Sequence, residues 1–237
     1  MHRLGIIVNP MSGRDVRRVA ARAGTSTHVD KQHLVARLVL AALEQGVDEV
    51  YLANEPFRIS ERAIETLPQK HKVRLIDIPL THGNDDTSRM VEVMWQAGCR
   101  TFVVLGGDGT SRIVARTRTD ATILPMSTGT NNVFPFMVEA TVAGTAAGLI
   151  ATETLAATDA CRPCKRIHVV TPHAADVALV DAVLLTDDAL GNLLPFEPAK
   201  IQTLVFAVAD PASIGMSPIG GYLSPCYQED EFGLMVR

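Results

Sequence analysis

No apolar stretch in this sequence is long enough to cross a bilayer. The longest, such as Leu34 to Leu43, is interrupted by Arg37, and a spanning helix needs about 20 predominantly apolar residues. A secretion signal is not expected either. Met1-His-Arg-Leu-Gly-Ile-Ile-Val8 has a basic start but runs directly into Asn9-Pro10, which reads as a first strand ending in a turn. Basic charge is sparse: 22 Lys and Arg stand against 26 Asp and Glu, the net charge is −4, and no basic stripe offers a nucleic-acid surface. Cysteines are few, at 99, 161, 164 and 226. Cys161-Arg-Pro-Cys164 is a single C-x-x-C without the second pair that a structural zinc site wants. It follows a loop-like stretch and precedes a strand-like one, the reverse of a thioredoxin-type motif. The seven histidines form no H-x-x-x-H pair, so no metal site is expected. The thiols are expected to be reduced, in a cytoplasmic protein.

What is present is an ordinary globular balance, 47% hydrophobic and 20% charged, over 237 residues. Short apolar runs alternate with segments of helical period. The runs are Leu4–Val8, Val50–Leu52, Val73–Ile78, Thr101–Leu105 and Thr122–Leu124. The helical segments are Arg14–Ala23, Lys31–Gln45, Ser60–Leu67, Asp86–Ala97, Ser111–Arg116 and Val138–Ala151. In the second of these, Leu34, Val35, Leu38, Val39, Ala42 and Leu43 form the apolar stripe, and Lys31, Arg37 and Glu44 lie off it. Asp85-Asp86-Thr87-Ser88 is a cluster of N-cap residues, and Gly98 suits a C′ position. Continuous apolar strands between helices predict a parallel sheet covered on both faces. After about residue 155 the texture changes. Ile167–Val170, Val177–Thr186 and Ile201–Ala209 read as strands punctuated by prolines, an antiparallel β domain. The expected division is an α/β nucleotide-binding domain over 1–155 and an all-β substrate or oligomerisation domain over 156–237. The second is expected to be incomplete, since Phe232–Arg237 reads as a strand just opening.

Three turns of small residues fall at strand ends, where open parallel sheets bind their ligands. Gly106-Gly107-Asp108-Gly109-Thr110 lies between an apolar strand and the helix start at Ser111. Glycines bring bare backbone up to a phosphate, and the following helix N-terminus supplies N–H groups and partial positive charge. Asp108 repels phosphate, which makes sense if it holds a metal ion or takes a proton from an attacking hydroxyl. Alone, the same five residues also serve as a tight βα turn capped by Asp108 and Thr110. Asn9-Pro10-Met11-Ser12-Gly13 ends the first strand, with Asn9 and Ser12 able to bond a phosphate or a ribose, or merely to cap. Ser127, Thr128, Gly129, Thr130, Asn131 and Asn132 gather short polar side chains around one glycine, and Phe134 and Phe136 are expected to anchor that loop.

N-P-x-S-G, then G-G-D-G-T, then T-G-T-N-N about twenty residues later resembles the superfamily joining ATP-NAD kinases and diacylglycerol-type lipid kinases. Ser127–Pro135, Glu139–Gly144 and Ile214–Gly221 resemble most the acetoin catabolism protein X branch of the ATP-NAD kinase family. The resemblance implies an NAD kinase-like α/β domain followed by an all-β domain, with the active site in the cleft between them. It implies Asp108 as general base, with Gly106, Gly107, Gly109 and Thr110 on the phosphates of ATP and Mg²⁺ as its counterion. NAD is the candidate acceptor and a homo-oligomer the expected assembly. NAD kinases also open a β-domain strand with an Asn-Glu pair that binds the NAD ribose and adenine. Here Asp181 stands for the acid, but Val180 occupies the Asn position and has no polar side-chain atom. Two other readings stay open. One is a lipid or small-polyol kinase whose acceptor path is Leu190, Leu193, Leu194 and Phe196. The other is a non-catalytic protein that senses NAD(P) or ATP.

Overall fold

The structure is a computed structural model describing residues 1–13, 25–81, 83–129, 132–187 and 197–237. Those residues form two compact units, Met1–Cys161 and Arg162–Arg237. The helical reading of Arg14–Ala23 lies outside the described residues, as do Thr130, Asn131, Leu190, Leu193, Leu194 and Phe196.

The first unit is built on five parallel strands: β1 (Arg3–Val8), β2 (Glu49–Ala53), β3 (Val73–Ile76), β4 (Thr101–Gly106) and β5 (Thr122–Ser127). Their order is β3-β2-β1-β4-β5, with Ile6 beside Leu52 on one side and Val103 on the other. The continuous apolar strands are explained by a core on each face. Leu4, Ile6 and Val8 pack with α1 (His28–Glu44), α2 (Ile59–Ile64) and α5 (Ala140–Ala151). Ile7 packs on the other face with α3 (Asn84–Gln96) and α4 (Asp108–Thr117). Alternate residues of one strand thus enter different cores, so both need to be apolar.

Thr27 and Asp30 close a capping box at the start of α1, which accounts for that helix beginning before the apolar stripe does. The α1–α5 contact is close because Gly144 lies against the Leu38 carbonyl, where a Cβ would sit 2.6 Å from the oxygen. The Arg37–Glu139 ion pair spans the same two helices but is half exposed at both ends. Such a pair adds at most about 1 kcal/mol, so the small-residue contact does most of the holding. The Asp85–Ser88 cluster is not the cap of α3. Gly83 takes that position, and Asp86 instead accepts from the Thr81 N–H (2.7 Å) and hydroxyl (2.8 Å). Gly98 adopts φ 102 just past the helix, the left-handed conformation a C′ glycine supplies.

The second unit carries a hairpin, β6 (Ile167–Val170) with β7 (Ala175–Ala178), and an antiparallel sheet of order β10-β9-β8. β8 is Asp181–Leu185, β9 Ile201–Phe206 and β10 Leu234–Val236. The run Val177–Thr186 is two strands because the Val180 carbonyl accepts from the Ala207 and Val208 N–H groups, which breaks the ladder. Beyond α6 (Ala157–Ala160), a single turn late in the first unit, helix α7 (Ser217–Leu223) has no signature in the sequence. Its Gly220 and Gly221 are poor helix formers, tolerated because the Phe206 ring and the Pro211 backbone leave no room for a Cβ.

Candidate functional site

β1 and β4 are neighbours, yet the chain leaves them toward opposite edges of the sheet: β2 and β3 lie beyond β1, and β5 lies beyond β4. Connections that diverge from adjacent strand ends leave a crevice beyond their carboxyl ends. The structure has a cavity there, of about 740 Å³. Its wall takes Asn9–Gly13 from the end of β1 and Gly107–Thr110 from the end of β4, with Asn132 from the loop after β5. The two turns are tied together directly. The Asn9 N–H donates to the Leu105 carbonyl (2.9 Å), and Asn9 Nδ2 donates to Thr110 Oγ1 (2.9 Å).

Gly107 caps α4, and Asp108 is already its first residue, so Asp108, Gly109 and Thr110 form the opening turn of the helix. Among the described residues no side chain caps that end, and the positive end of the helix dipole lies at the cavity wall. Gly109 faces open space, with nothing within 4 Å of where its Cβ would be. Gly107 is packed: a Cβ there would sit 2.7 Å from Asn132 Oδ1. Gly106 backs onto the Thr110 side chain, 2.6 Å from such a Cβ. Gly13 has φ 72 and lies against the Thr128 carbonyl, so any side chain there is both strained and obstructed.

The Ser127–Gly129 turn supports the cavity from behind. Ser127 and Thr128 are buried. Thr128 Oγ1 donates to Ser12 Oγ (2.7 Å), and Ser127 Oγ accepts from Asn132 Nδ2 (2.8 Å) and donates to the Gly129 carbonyl. Asn132 is the member of this group that reaches the wall. The loop beyond it is anchored by backbone and not by the Phe136 ring, which is 53% exposed. Ser127 N–H donates to the Phe136 carbonyl and Phe136 N–H to the Pro125 carbonyl.

A further anchor of that loop is Asp108. Its Oδ1 accepts from Phe134 N–H at 2.7 Å, and Val133 N–H is shared between Oδ1 and Oδ2 at 3.2 Å each. Oδ2 therefore has the greater remaining capacity to accept a proton or a hydrogen bond. Burial raises the Asp108 pKa above its ordinary value, and the two backbone donors oppose that rise. In the second unit, Asp181 opens β8 opposite Phe206, and Val180 is buried.

Three further residues at the site belong to none of the three small-residue turns. Lys31, expected to lie off the apolar stripe, is fully buried: four residues before Val35 and seven before Leu38, it continues that stripe. Its ammonium donates to the carbonyls of Asn9 (2.9 Å), Pro10 (2.7 Å) and Ser12 (2.7 Å). Glu55 is buried at the cavity wall and accepts from the N–H groups of Phe57, Ile59 and Ser60, which fixes the chain entering α2. Asp86 lines the wall near the start of α3. Only a polar residue breaking helical period hinted at Lys31.

A glycine-built crevice at the switch point of a doubly covered parallel sheet defines a class of α/β protein whose ligands are met by backbone and helix ends. The family models narrow the class. That of the ATP-NAD kinase N-terminal domain matches residues 4–154, and that of the acetoin catabolism protein X C-terminal domain matches residues 165–237. Acetoin catabolism protein X of Cupriavidus necator is 35% identical over 246 residues, covering 99% of this chain and 68% of that protein. A diacylglycerol kinase structure from Bacillus anthracis aligns over 100% of this chain and 84% of its own, at 12% identity and a TM-score of 0.31. The chain belongs to the ATP-NAD kinase family, in the branch of acetoin catabolism protein X.

Proposed function

We propose that this protein transfers the terminal phosphoryl group of ATP to a hydroxyl of a nucleotide-type acceptor, with NAD the first candidate. The observation carrying the proposal is Asp108: a carboxylate in the first turn of a helix whose uncapped end faces a glycine-lined cavity. The cavity fits a polyphosphate, because Gly109 leaves the helix end bare and Gly13 and Gly107 bring backbone to the wall. In this reading Gly106, Gly107, Gly109 and Thr110, with Asn9, Ser12 and Gly13, hold the phosphates. Ser127, Thr128, Gly129 and Asn132 brace them from behind, and Thr130 and Asn131 belong to the same binding loop. Asp108 takes the acceptor's proton on Oδ2 as the acceptor oxygen bonds to phosphorus and the bond to the departing ADP oxygen breaks. Its raised pKa makes it a better base than an ordinary carboxylate. Mg²⁺, when bound, would supply charge neutralisation for the triphosphate, and Asp86 and Asp108 are the wall carboxylates that would hold it. Asp181 is the candidate contact for an acceptor ribose hydroxyl.

The assay follows NADP formation from NAD, ATP and Mg²⁺. Asp108→Asn is expected to lower turnover by at least about 10²-fold while nucleotide binding is kept. Wild-type protein that binds ATP but forms no NADP rejects NAD as acceptor, and a diacylglycerol or sphingoid panel then tests the lipid-kinase alternative.

A second reading is favoured by Val180 and by the bonds from Val133 and Phe134 that already occupy Asp108. In it the protein binds NAD(P) or ATP without turnover, as an accessory of acetoin catabolism. Tight binding by calorimetry, with no product under any divalent metal, decides for it. Either reading places the protein in the cytoplasm with its nucleotides, as a homo-oligomer, which light scattering tests. No described helix is long and apolar enough to cross a membrane.

A further inference from the structure

We propose that Lys31 is the positioning residue of the polyphosphate loop Asn9–Gly13, acting from behind the backbone as its fixed positive charge. The inference rests on the reading of the cavity as a nucleotide site. It begins with an imbalance of charge. The described residues lining the cavity include the carboxylates of Glu55, Asp86 and Asp108, and none of them is Lys, Arg or His. Among the described lining residues, a polyphosphate is met by acid side chains, helix ends and peptide N–H groups. Lys31 brings a positive charge to the loop after β1 from behind its backbone. Its side chain is fully buried, and its ammonium lies against the loop that forms the wall.

Burying an ammonium is costly, and a methionine would fill the same space without that cost. Here the cost is offset because each of the three ammonium protons meets a carbonyl, those of Asn9, Pro10 and Ser12. Gathering these carbonyls has a directional consequence. Across a trans peptide the next residue's N–H points opposite to the C=O. Turning the Ser12 carbonyl onto Lys31 therefore directs the Gly13 N–H away from it, and Gly13 is on the cavity wall. The rest of the loop is braced around the same arrangement. Asn9 Oδ1 accepts from the Met11 (2.9 Å) and Ser12 (3.2 Å) N–H groups, and Asn9 Nδ2 ties the loop to Thr110 in α4. Removing the ammonium releases three carbonyls at once and takes a positive charge from directly behind the wall.

The experiment measures dissociation constants of the full chain for adenosine, AMP, ADP and ATP, using wild type, Lys31→Gln, Lys31→Met and Lys31→Arg, with thermal unfolding of each. Lys31→Gln keeps two N–H donors for the loop and deletes the charge, so it decides the matter if Lys31→Met fails to fold. The expected result is adenosine affinity within about twofold of wild type and ATP affinity at least about tenfold weaker, some 1.4 kcal/mol. The loss should grow from AMP to ATP, and Lys31→Arg should restore most of it. Folded Lys31→Gln that weakens all four ligands equally, or none, overturns the role of Lys31 and leaves the nucleotide reading intact. Wild type that binds none of the four overturns both.

Discussion

Asp108 anchors the loop after β5 and is also the proposed general base, and substitutions can separate the two roles. Asp108→Ala removes the acceptor for the Val133 and Phe134 N–H groups. Each half-buried donor left without a partner costs about 1–3 kcal/mol, so the gross loss is about 2–6 kcal/mol. Removing a partly desolvated carboxylate returns about 1 kcal/mol, leaving a net destabilisation of about 1–5 kcal/mol. Asp108→Asn keeps an oxygen where Oδ1 accepts both bonds and should cost about 1 kcal/mol or less. The assay is urea unfolding followed by fluorescence of Trp95, the chain's single tryptophan, which packs against the α3–α4 core of the first unit. Both variants should lose turnover, but only alanine should lower the unfolding midpoint. An alanine variant as stable as wild type, or an asparagine variant that falls equally far, refutes the dual role. The pH dependence gives an independent check. Burial raises the Asp108 pKa from an ordinary value near 3.8, so the folded chain holds this proton more tightly than the unfolded one. The stability this group contributes is full below that ordinary value and is lost as pH rises through the raised one. Wild type should therefore lose stability relative to Asp108→Asn as pH rises across that window.

The glycines of α4 give opposite outcomes. Gly109→Ala meets nothing within 4 Å, so it should stabilise the helix by up to about 1 kcal/mol yet weaken ATP binding if phosphate approaches that backbone. Gly107→Ala pushes against Asn132 and should cost both stability and affinity; calorimetry with thermal unfolding reads both variants. The thiols should separate in a DTNB titration of the native protein. Cys164 is exposed and should react first, Cys161 more slowly because burial raises its pKa, and Cys99, buried with its pKa pushed up to about 12, only on unfolding.

Much of the architecture was legible because it is local. Apolar runs such as Thr101–Leu105 and the stripe through α1 each report their own environment within a few residues, and their alternation implies a parallel sheet. The glycine turns were legible because a backbone that must approach another chain segment excludes a Cβ. Helix α7 was not, since the reason its glycines are tolerated is the Phe206 ring and the Pro211 backbone, which propensity does not see.

The sequence by itself determined the strand–helix alternation, the two-part organisation and the family motifs. Tertiary structure decided which polar residues serve the site and from which side. Ser127 and Thr128 carry a binding motif but turn inward to brace Asn132 and Ser12. Asp108 is held by the N–H groups of Val133 and Phe134, some twenty-five residues along the chain, and Lys31, a cation on the apolar face of α1, lies fully buried beneath the loop after β1. Periodicity records only whether a residue faces the core of its own element. The partners of a buried ammonium or carboxylate come from distant segments that meet only once the sheet has ordered its strands.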